Sequence, residues 1–226
     1  MPELTVVDAA PLGVFGGTFD PVHLGHLRLA EEAADALGLV KVRWVPAGQP
    51  ALRQTPKVSP AQRLEMVRLA IAGNPRFELD ACEVEAAQPS YTVPTLERLR
   101  LPNTCGAARP IVLLVGADAF SGMVGWHRWT SLFDLAHVAV AHRPGFPIVA
   151  ASLPPALADT YRERYSEDPG VLRAAPGGRI VSFAMTQLDI SATKVRALLS
   201  QGLSTRYLVP DSSAAYIAAH QLYSEN

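Results

Sequence analysis

Short runs of β-branched and aliphatic residues alternate along this chain with stretches of helical period, and that rhythm limits the fold more than any other feature. Leu12 to Phe15 precedes a helical pattern from Leu24 to Leu37. Val42 to Val45 precedes Pro60 to Ala72, and Ile111 to Val115 precedes Ala117 to Leu132, with Val138 to Ala141 after it. Strands that alternate with helices build parallel sheets, because the chain must cross back over a face before the next strand. In the first helix Leu27, Ala30, Ala34 and Leu37 recur three or four apart, while Arg28, Glu31, Glu32 and Asp35 fall largely elsewhere. Ile111-Val112-Leu113-Leu114-Val115 is apolar without a break, which requires cover on both faces. The sequence therefore predicts an α/β fold, a parallel sheet with helices on both faces, in one domain over residues 1–226.

From Arg143 to Gly178 the texture changes. Pro144, Gly145, Pro147, Pro154, Pro155, Pro169, Gly170, Pro176 and Gly177 break any long element, so 144–178 reads as an insertion with one helix near Ala156 to Tyr165. Periodicity returns in a strand from Arg179 to Phe183, a helix from Ser191 to Leu199 and a last helix from Ala214 to Leu222. Residues 189–226 thus form a small C-terminal helical portion. Pro46 to Pro60 reads as a surface loop.

Twenty Lys+Arg against 21 Asp+Glu give a formal charge of −1, no footprint for nucleic acid or an anionic membrane. The expected partner is small. Cys82 and Cys105 stand outside any C-x-x-C, which supports neither a disulfide framework nor a metal site, and both read as small core residues. Acids near the first residue do not suit a signal peptide, and no run of 18 apolar residues occurs, so a cytoplasmic protein is expected.

The first strand runs into Gly16-Gly17-Thr18-Phe19-Asp20-Pro21-Val22-His23-Leu24-Gly25-His26. Glycines let the backbone turn and approach a ligand, and the helix that follows points its free N–H groups at that ligand. His23 and His26, three apart, share a face of the first helical turn, with Gly25 leaving room for a phosphate. Two histidines placed this way can stabilise developing negative charge without a covalent step. The chain has no G-x-x-x-x-G-K-[ST], and Gly13, Gly16 and Gly17 do not meet G-x-G-x-x-G, which argues against a P-loop NTPase and a dehydrogenase.

A second anion-ready helix start lies in Ile190-Ser191-Ala192-Thr193-Lys194-Val195-Arg196. Ser191 suits an N-cap, and Thr193 and Arg196 share a face away from the buried Val195, Leu198 and Leu199. Two such starts in one small domain predict a polyphosphate ligand.

These stretches resemble the H-x-G-H and I-S-x-T-x-x-R motifs of a nucleotidyltransferase superfamily, and most of all its bacterial nicotinate-nucleotide adenylyltransferase family. Pro89-Ser90-Tyr91-Thr92, Gly116-Ala117-Asp118, Trp126 with Trp129, Arg143-Pro144-Gly145 and Arg206-Tyr207-Leu208-Val209-Pro210 add to the resemblance, which runs from Gly13 to Tyr223. It implies a Rossmann-like sheet, ATP and nicotinate mononucleotide as substrates, Mg2+ with the ATP, and nicotinate adenine dinucleotide and pyrophosphate as products. Carried over by motif, His23, His26 and Arg196 are the catalytic residues. Gly16, Gly17, Thr18, Phe19, Gly25, Ile190, Ser191 and Thr193 hold ATP. Tyr91, Thr92, Gly116, Asp118, Trp126 and Arg143 hold the mononucleotide, Trp126 by stacking on the pyridine and Asp118 by accepting from ribose hydroxyls.

Two departures stand out. Where the family has Pro-Pro-His-Lys, this chain has Gln49-Pro50-Ala51-Leu52-Arg53, so Arg53, or else Lys57, takes the lysine's place at the phosphates. Pro94 replaces a family Asp and is compatible with a helix first turn. Trp126 and Trp129, three apart, predict one helix face, with Trp129 in the core. Tyr207, Tyr216 and Tyr223 read as packing of the C-terminal helix.

No nucleophile beside a base is evident, so the expected chemistry is direct attack of the mononucleotide phosphate on ATP. A dedicated metal-ligand set is not expected, because phosphates and water would hold Mg2+. A sibling transferase with another acceptor and a non-catalytic nucleotide-binding protein remain open, as does assembly into a homo-oligomer.

Overall fold

The computed structural model describes residues 10–51, 54–86 and 88–224. Six parallel strands form the central sheet: β1 (Leu12–Gly17), β2 (Lys41–Pro46), β3 (Phe77–Leu79), β4 (Ile111–Gly116), β5 (His137–His142) and β6 (Ile180–Ala184), in the order β3-β2-β1-β4-β5-β6. The chain builds outward from β1 in one direction, then returns and builds outward in the other. The switch point therefore lies between β1 and β4, where open α/β sheets bind ligands at their carboxyl ends.

Pairing makes that crevice visible. β1 matches β2 along its whole length, from Leu12↔Lys41 to Gly17↔Pro46, but matches β4 only from Leu12↔Ile111 to Val14↔Leu113. The two central strands therefore part over their last residues, with Gly16 and Gly17 on one side and Gly116 on the other.

Alternate residues of the strands feed two cores. Phe15, Val112, Leu114, Ala139 and Ala141 face one layer with α1 (Leu24–Leu37) and α2 (Pro60–Ile71). Val14, Leu113, Val115, Val138 and Val140 face the other, with α3 (Thr92–Leu99) and α4 (Ala117–Ser121). Each aliphatic side chain fully buried in this way contributes about 1.5–3 kcal/mol. The α1 helix ends where the sequence places it, on Gly38 at φ 61°, a left-handed cap. Ser59 caps α2 by accepting from the Gln62 N–H.

Three expectations change. No continuous helix spans Ala117 to Leu132: α4 stops before Gly122, 3₁₀ turns follow at Met123–Gly125 and Trp129–Ser131, and Trp126 between them is extended. Trp126 and Trp129 consequently do not share a helix face, although both pack partly against the second core. The short edge strand β3 had no sequence signal. The last helix, α7 (Asp211–Ala219), starts earlier than its apolar pattern because Pro210 precedes it, and Ser212 and Ser213 donate to the Leu69 and Met66 carbonyls of α2.

Residues 144–178, expected as an insertion, carry the chain from β5 to β6. Their helix α5 (Pro155–Arg164) buries Leu157, Ala158 and Tyr161 in the second core, and Leu172 lies in the first. Cys82 and Cys105 are free and partly buried, and burial pushes the Cys82 thiol up to about 12.

Candidate active site

The turn after β1 is shaped by its glycines. A Cβ at Gly17 would lie 2.9 Å from the Phe19 ring, so only glycine lets that ring fold back over the strand end. Phe19 itself is left-handed at φ 50°, an uncommon conformation for a bulky residue. Its side chain is locked among Phe15, Trp44 and His26, with centroids 5.5, 5.3 and 5.1 Å away. The residue as a whole is buried, with its ring in the first core.

His23 is the N-cap of α1 rather than part of its first turn. Its ring nonetheless stacks on that of His26, centroids 3.6 Å apart and planes 24° apart. The His23 N–H donates to His26 Nδ1 at 3.2 Å, so His26 carries its ring proton on Nε2 when neutral. Burial pulls His23 down to about 4. Burial, and then the neighbouring His23, hold His26 well below the usual histidine range. At neutral pH the pair is two uncharged N–H donors. His23 Nδ1 is buried without a partner among the described residues. A Cβ at Gly25 would lie 3.1 Å from the His23 ring and 3.8 Å from the Ile190 carbonyl oxygen, so this glycine lies where the second motif approaches the first.

The second helix start is α6 (Ala192–Ser200), capped by Ser191, whose hydroxyl accepts from the Lys194 N–H at 3.2 Å. Arg196 reaches from it to the first motif. Its Nη1 donates to the Asp20 carbonyl at 2.7 Å and lies 3.9 Å from the Asp20 carboxylate, and its Nη2 donates to Thr193 Oγ1 at 3.3 Å. Residues far apart in sequence thus present one guanidinium, two imidazoles and two helix N-termini to one crevice. Such an arrangement binds and polarises phosphate oxygens.

Tyr91 is the N-cap of α3, so Thr92 opens that helix and Pro94 sits in its first turn, where a missing N–H is harmless. The Tyr91 ring packs against His127 at 4.8 Å. Gly116 is the N-cap of α4 and Asp118 is exposed in its first turn, both at the carboxyl end of β4. Arg143 follows β5 and is exposed, and its side chain forms no hydrogen bond or ion pair among the described residues. Arg53 lies outside the described residues. Lys57 contributes its backbone N–H to Asp20 Oδ2 at 2.9 Å.

A family model described as cytidylyltransferase-like matches residues 14–198. A relative from Dechloromonas aromatica named "Probable nicotinate-nucleotide adenylyltransferase" is 62% identical over 94% of this chain and 97% of its own length. One of the same name from Pseudomonas aeruginosa is 46% identical over 94% and 96%. The chain belongs to the nicotinate-nucleotide adenylyltransferase family. A Plasmodium falciparum nicotinic acid mononucleotide adenylyltransferase complexed with NaAD shares the fold, at a TM-score of 0.67 and 15% identity over 95% of this chain and 97% of that one.

This member of the family has site residues that its motifs alone did not single out. Asp20 is buried and receives the Lys57 N–H, the Arg196 guanidinium and the Tyr223 hydroxyl, the last at 2.8 Å. Tyr223 is therefore more than helix packing, and Tyr207, expected to pack, is 77% exposed. Arg63 is completely buried in α2 beneath the same loop. Its signal was a cation three and four residues before the core residues Met66 and Val67, on the apolar face of a helix.

Proposed function

We infer that this protein transfers the adenylyl group of ATP to nicotinate mononucleotide, releasing nicotinate adenine dinucleotide and pyrophosphate, a step of NAD biosynthesis. The observation that carries the reading is the 62% identity across nearly the whole chain to a relative named for that activity. The stacked imidazoles, with Arg196 bonded to the loop in front of them, supply the chemistry.

A phosphate oxygen of the mononucleotide attacks the α-phosphorus of ATP. The bond from that phosphorus to the bridging oxygen breaks, and pyrophosphate leaves with the electron pair. His26 donates its Nε2–H to a phosphate oxygen, His23 adds a second imidazole, and Arg196 neutralises charge on the leaving group. These donors are fixed before the reaction and so need no reorganisation as charge develops. Gly16, Gly17, Thr18, Gly25, Ile190, Ser191 and Thr193 line the ATP side, with the backbone of Phe19. Tyr91, Thr92, Gly116, Asp118, Trp126 and Arg143 serve the mononucleotide side, with Trp126 stacking on the electron-poor pyridine.

Among the described residues no group of three or more His, Cys, Asp or Glu side chains could hold a metal ion, and the buried Asp20 carboxylate is occupied by donors. In this proposal Mg2+ would arrive on the phosphates of ATP, where it would supply charge neutralisation. A cytoplasmic site of action is part of this proposal; among the described residues no helix is long and apolar enough to cross a membrane.

The test is pyrophosphate release from ATP and Mg2+ with nicotinate mononucleotide, nicotinamide mononucleotide or phosphopantetheine at matched concentrations. Turnover with the nicotinate form is expected to exceed the others. Preference for phosphopantetheine discards the pyridine assignment, preference for nicotinamide mononucleotide discards the acid form of the acceptor, and ATP binding without turnover on any acceptor discards catalysis.

A further inference from the structure

The guanidinium of Arg63 is spent on main-chain carbonyls of two loops. Nη1 donates to Thr18 O at 2.8 Å and also to Ala47 O, and Nη2 donates to Gly48 O at 2.7 Å. Thr18 belongs to the phosphate-side turn, and Ala47 and Gly48 follow β2. The second loop is held from its other side by Ser90, whose Oγ accepts from Gly48 N–H at 2.9 Å and Gln49 N–H at 3.2 Å. Gly48 cannot be enlarged, because a Cβ there would meet Glu83 O at 2.0 Å.

The carbonyl and N–H of a trans peptide point in opposite directions. Two of the three peptides gripped by Arg63 display the consequence. Where the Ala47 and Gly48 carbonyls turn toward Arg63, the Gly48 and Gln49 N–H groups turn away toward Ser90. The third peptide, Thr18–Phe19, is trans and held the same way, so the Phe19 N–H turns away from Arg63. It has no acceptor among the described residues, and the side chain of the same residue packs edge-on against the His26 ring.

We propose that Arg63 is a positioning residue: it presents the Phe19 N–H to an oxygen of the phosphate being transferred, and through Ser90 it fixes Tyr91 and Thr92 relative to that phosphate. This inference rests on the adenylyl-transfer reading. A fork of donors is needed to reach several carbonyls at once, and an ammonium is not a substitute. Arg63 is completely buried and acts through the peptides it orients.

The first arm compares Arg63→Lys with Val67→Ala, a cavity variant on the same helix that leaves the carbonyls alone, with folding of both checked by circular dichroism. In Arg63→Lys, kcat is expected to fall on the order of 10- to 100-fold, with KM for ATP within roughly threefold of wild type. Val67→Ala is expected to lower Tm while keeping kcat within about twofold. Unchanged kcat in a folded Arg63→Lys overturns the proposal, and so does an equal loss in Val67→Ala.

The second arm uses wild-type protein and so does not depend on either variant folding. The Phe19 amide resonance is followed by ¹⁵N NMR during titration with a non-hydrolysable α,β-methylene ATP. A shift of that amide with slowed hydrogen exchange at saturation supports the proposal, and an unmoved amide overturns it. Wild-type protein without turnover on nicotinate mononucleotide would instead count against the adenylyl-transfer reading, leaving this amide measurement to decide the role of Arg63.

Discussion

The hydroxyl of Tyr223 donates to the carboxylate of Asp20 at 2.8 Å, joining the last turn of the chain to the loop in front of the histidine pair. Burial, and then the Asp20 charge, push the Tyr223 phenol far above its ordinary value, so the tyrosine stays a donor. Tyr223→Phe leaves a buried carboxylate short of one charged hydrogen bond, which is expected to cost about 1.5–3 kcal/mol. Urea unfolding of the two proteins checks this, and a difference below about 0.5 kcal/mol would show that the bond contributes nothing.

His26→Ala removes the Nε2 donor and the acceptor that holds the His23 N–H. Turnover is expected to fall on the order of 100-fold or more with the fold retained, as when an oxyanion donor is lost. Near-wild-type turnover in a folded variant would sink the assignment of His26.

Gly25→Ala separates activity from stability. Position 25 lies in the first turn of α1 at negative φ, so alanine costs no backbone strain there and raises helix propensity by up to about 1 kcal/mol. Its Cβ would nevertheless press the His23 ring, 3.1 Å away. Melting temperature is expected to hold or rise while kcat drops about tenfold or more. Calorimetry and steady-state kinetics on one sample decide it, and a parallel fall in both would refute the separation.

Acid is expected to destabilise the protein through its buried imidazoles. The folded-state pKa of His23 is about 4 against an ordinary value of 6.5, and His26 and His137 are also depressed by burial. The unfolded chain therefore binds more protons as pH drops below about 6.5. The stability is present in full above that pH and is lost toward pH 4, with His23 accounting for up to about 3 kcal/mol. Denaturant unfolding across pH 4.5–7 is expected to show a shallower slope for His23→Asn than for wild type. Equal slopes would remove His23 from this account.

The sheet was legible because each central strand is a continuous apolar run and each covering helix has its own period. Leu24–Leu37 matched to the residue for that reason. β3 was not legible, because an edge strand of three residues carries too little pattern to stand out. The Ala117 to Leu132 stretch misled because its apolar spacing persists through Gly122 and Gly125, where the backbone leaves the helix. At the site, the glycine and histidine motif was readable from local spacing alone. The roles of Asp20, Arg63 and Ser90 were not, since each depends on main-chain groups from loops distant in sequence, and hydrogen bonds to carbonyls and amides leave no trace in residue identity.

The bond from Arg196 to the Asp20 carbonyl sets a schedule for synthesis. Asp20 leaves the ribosome 176 residues ahead of its partner, which at ordinary elongation rates is roughly 10–35 s. Throughout that interval the glycine turn and both histidines exist without the cation that bonds Asp20 between them. A chain that has emerged as far as β5 still lacks the arginine that bonds the Asp20 carbonyl. The link between the two motifs is consequently among the last contacts that the growing chain can make.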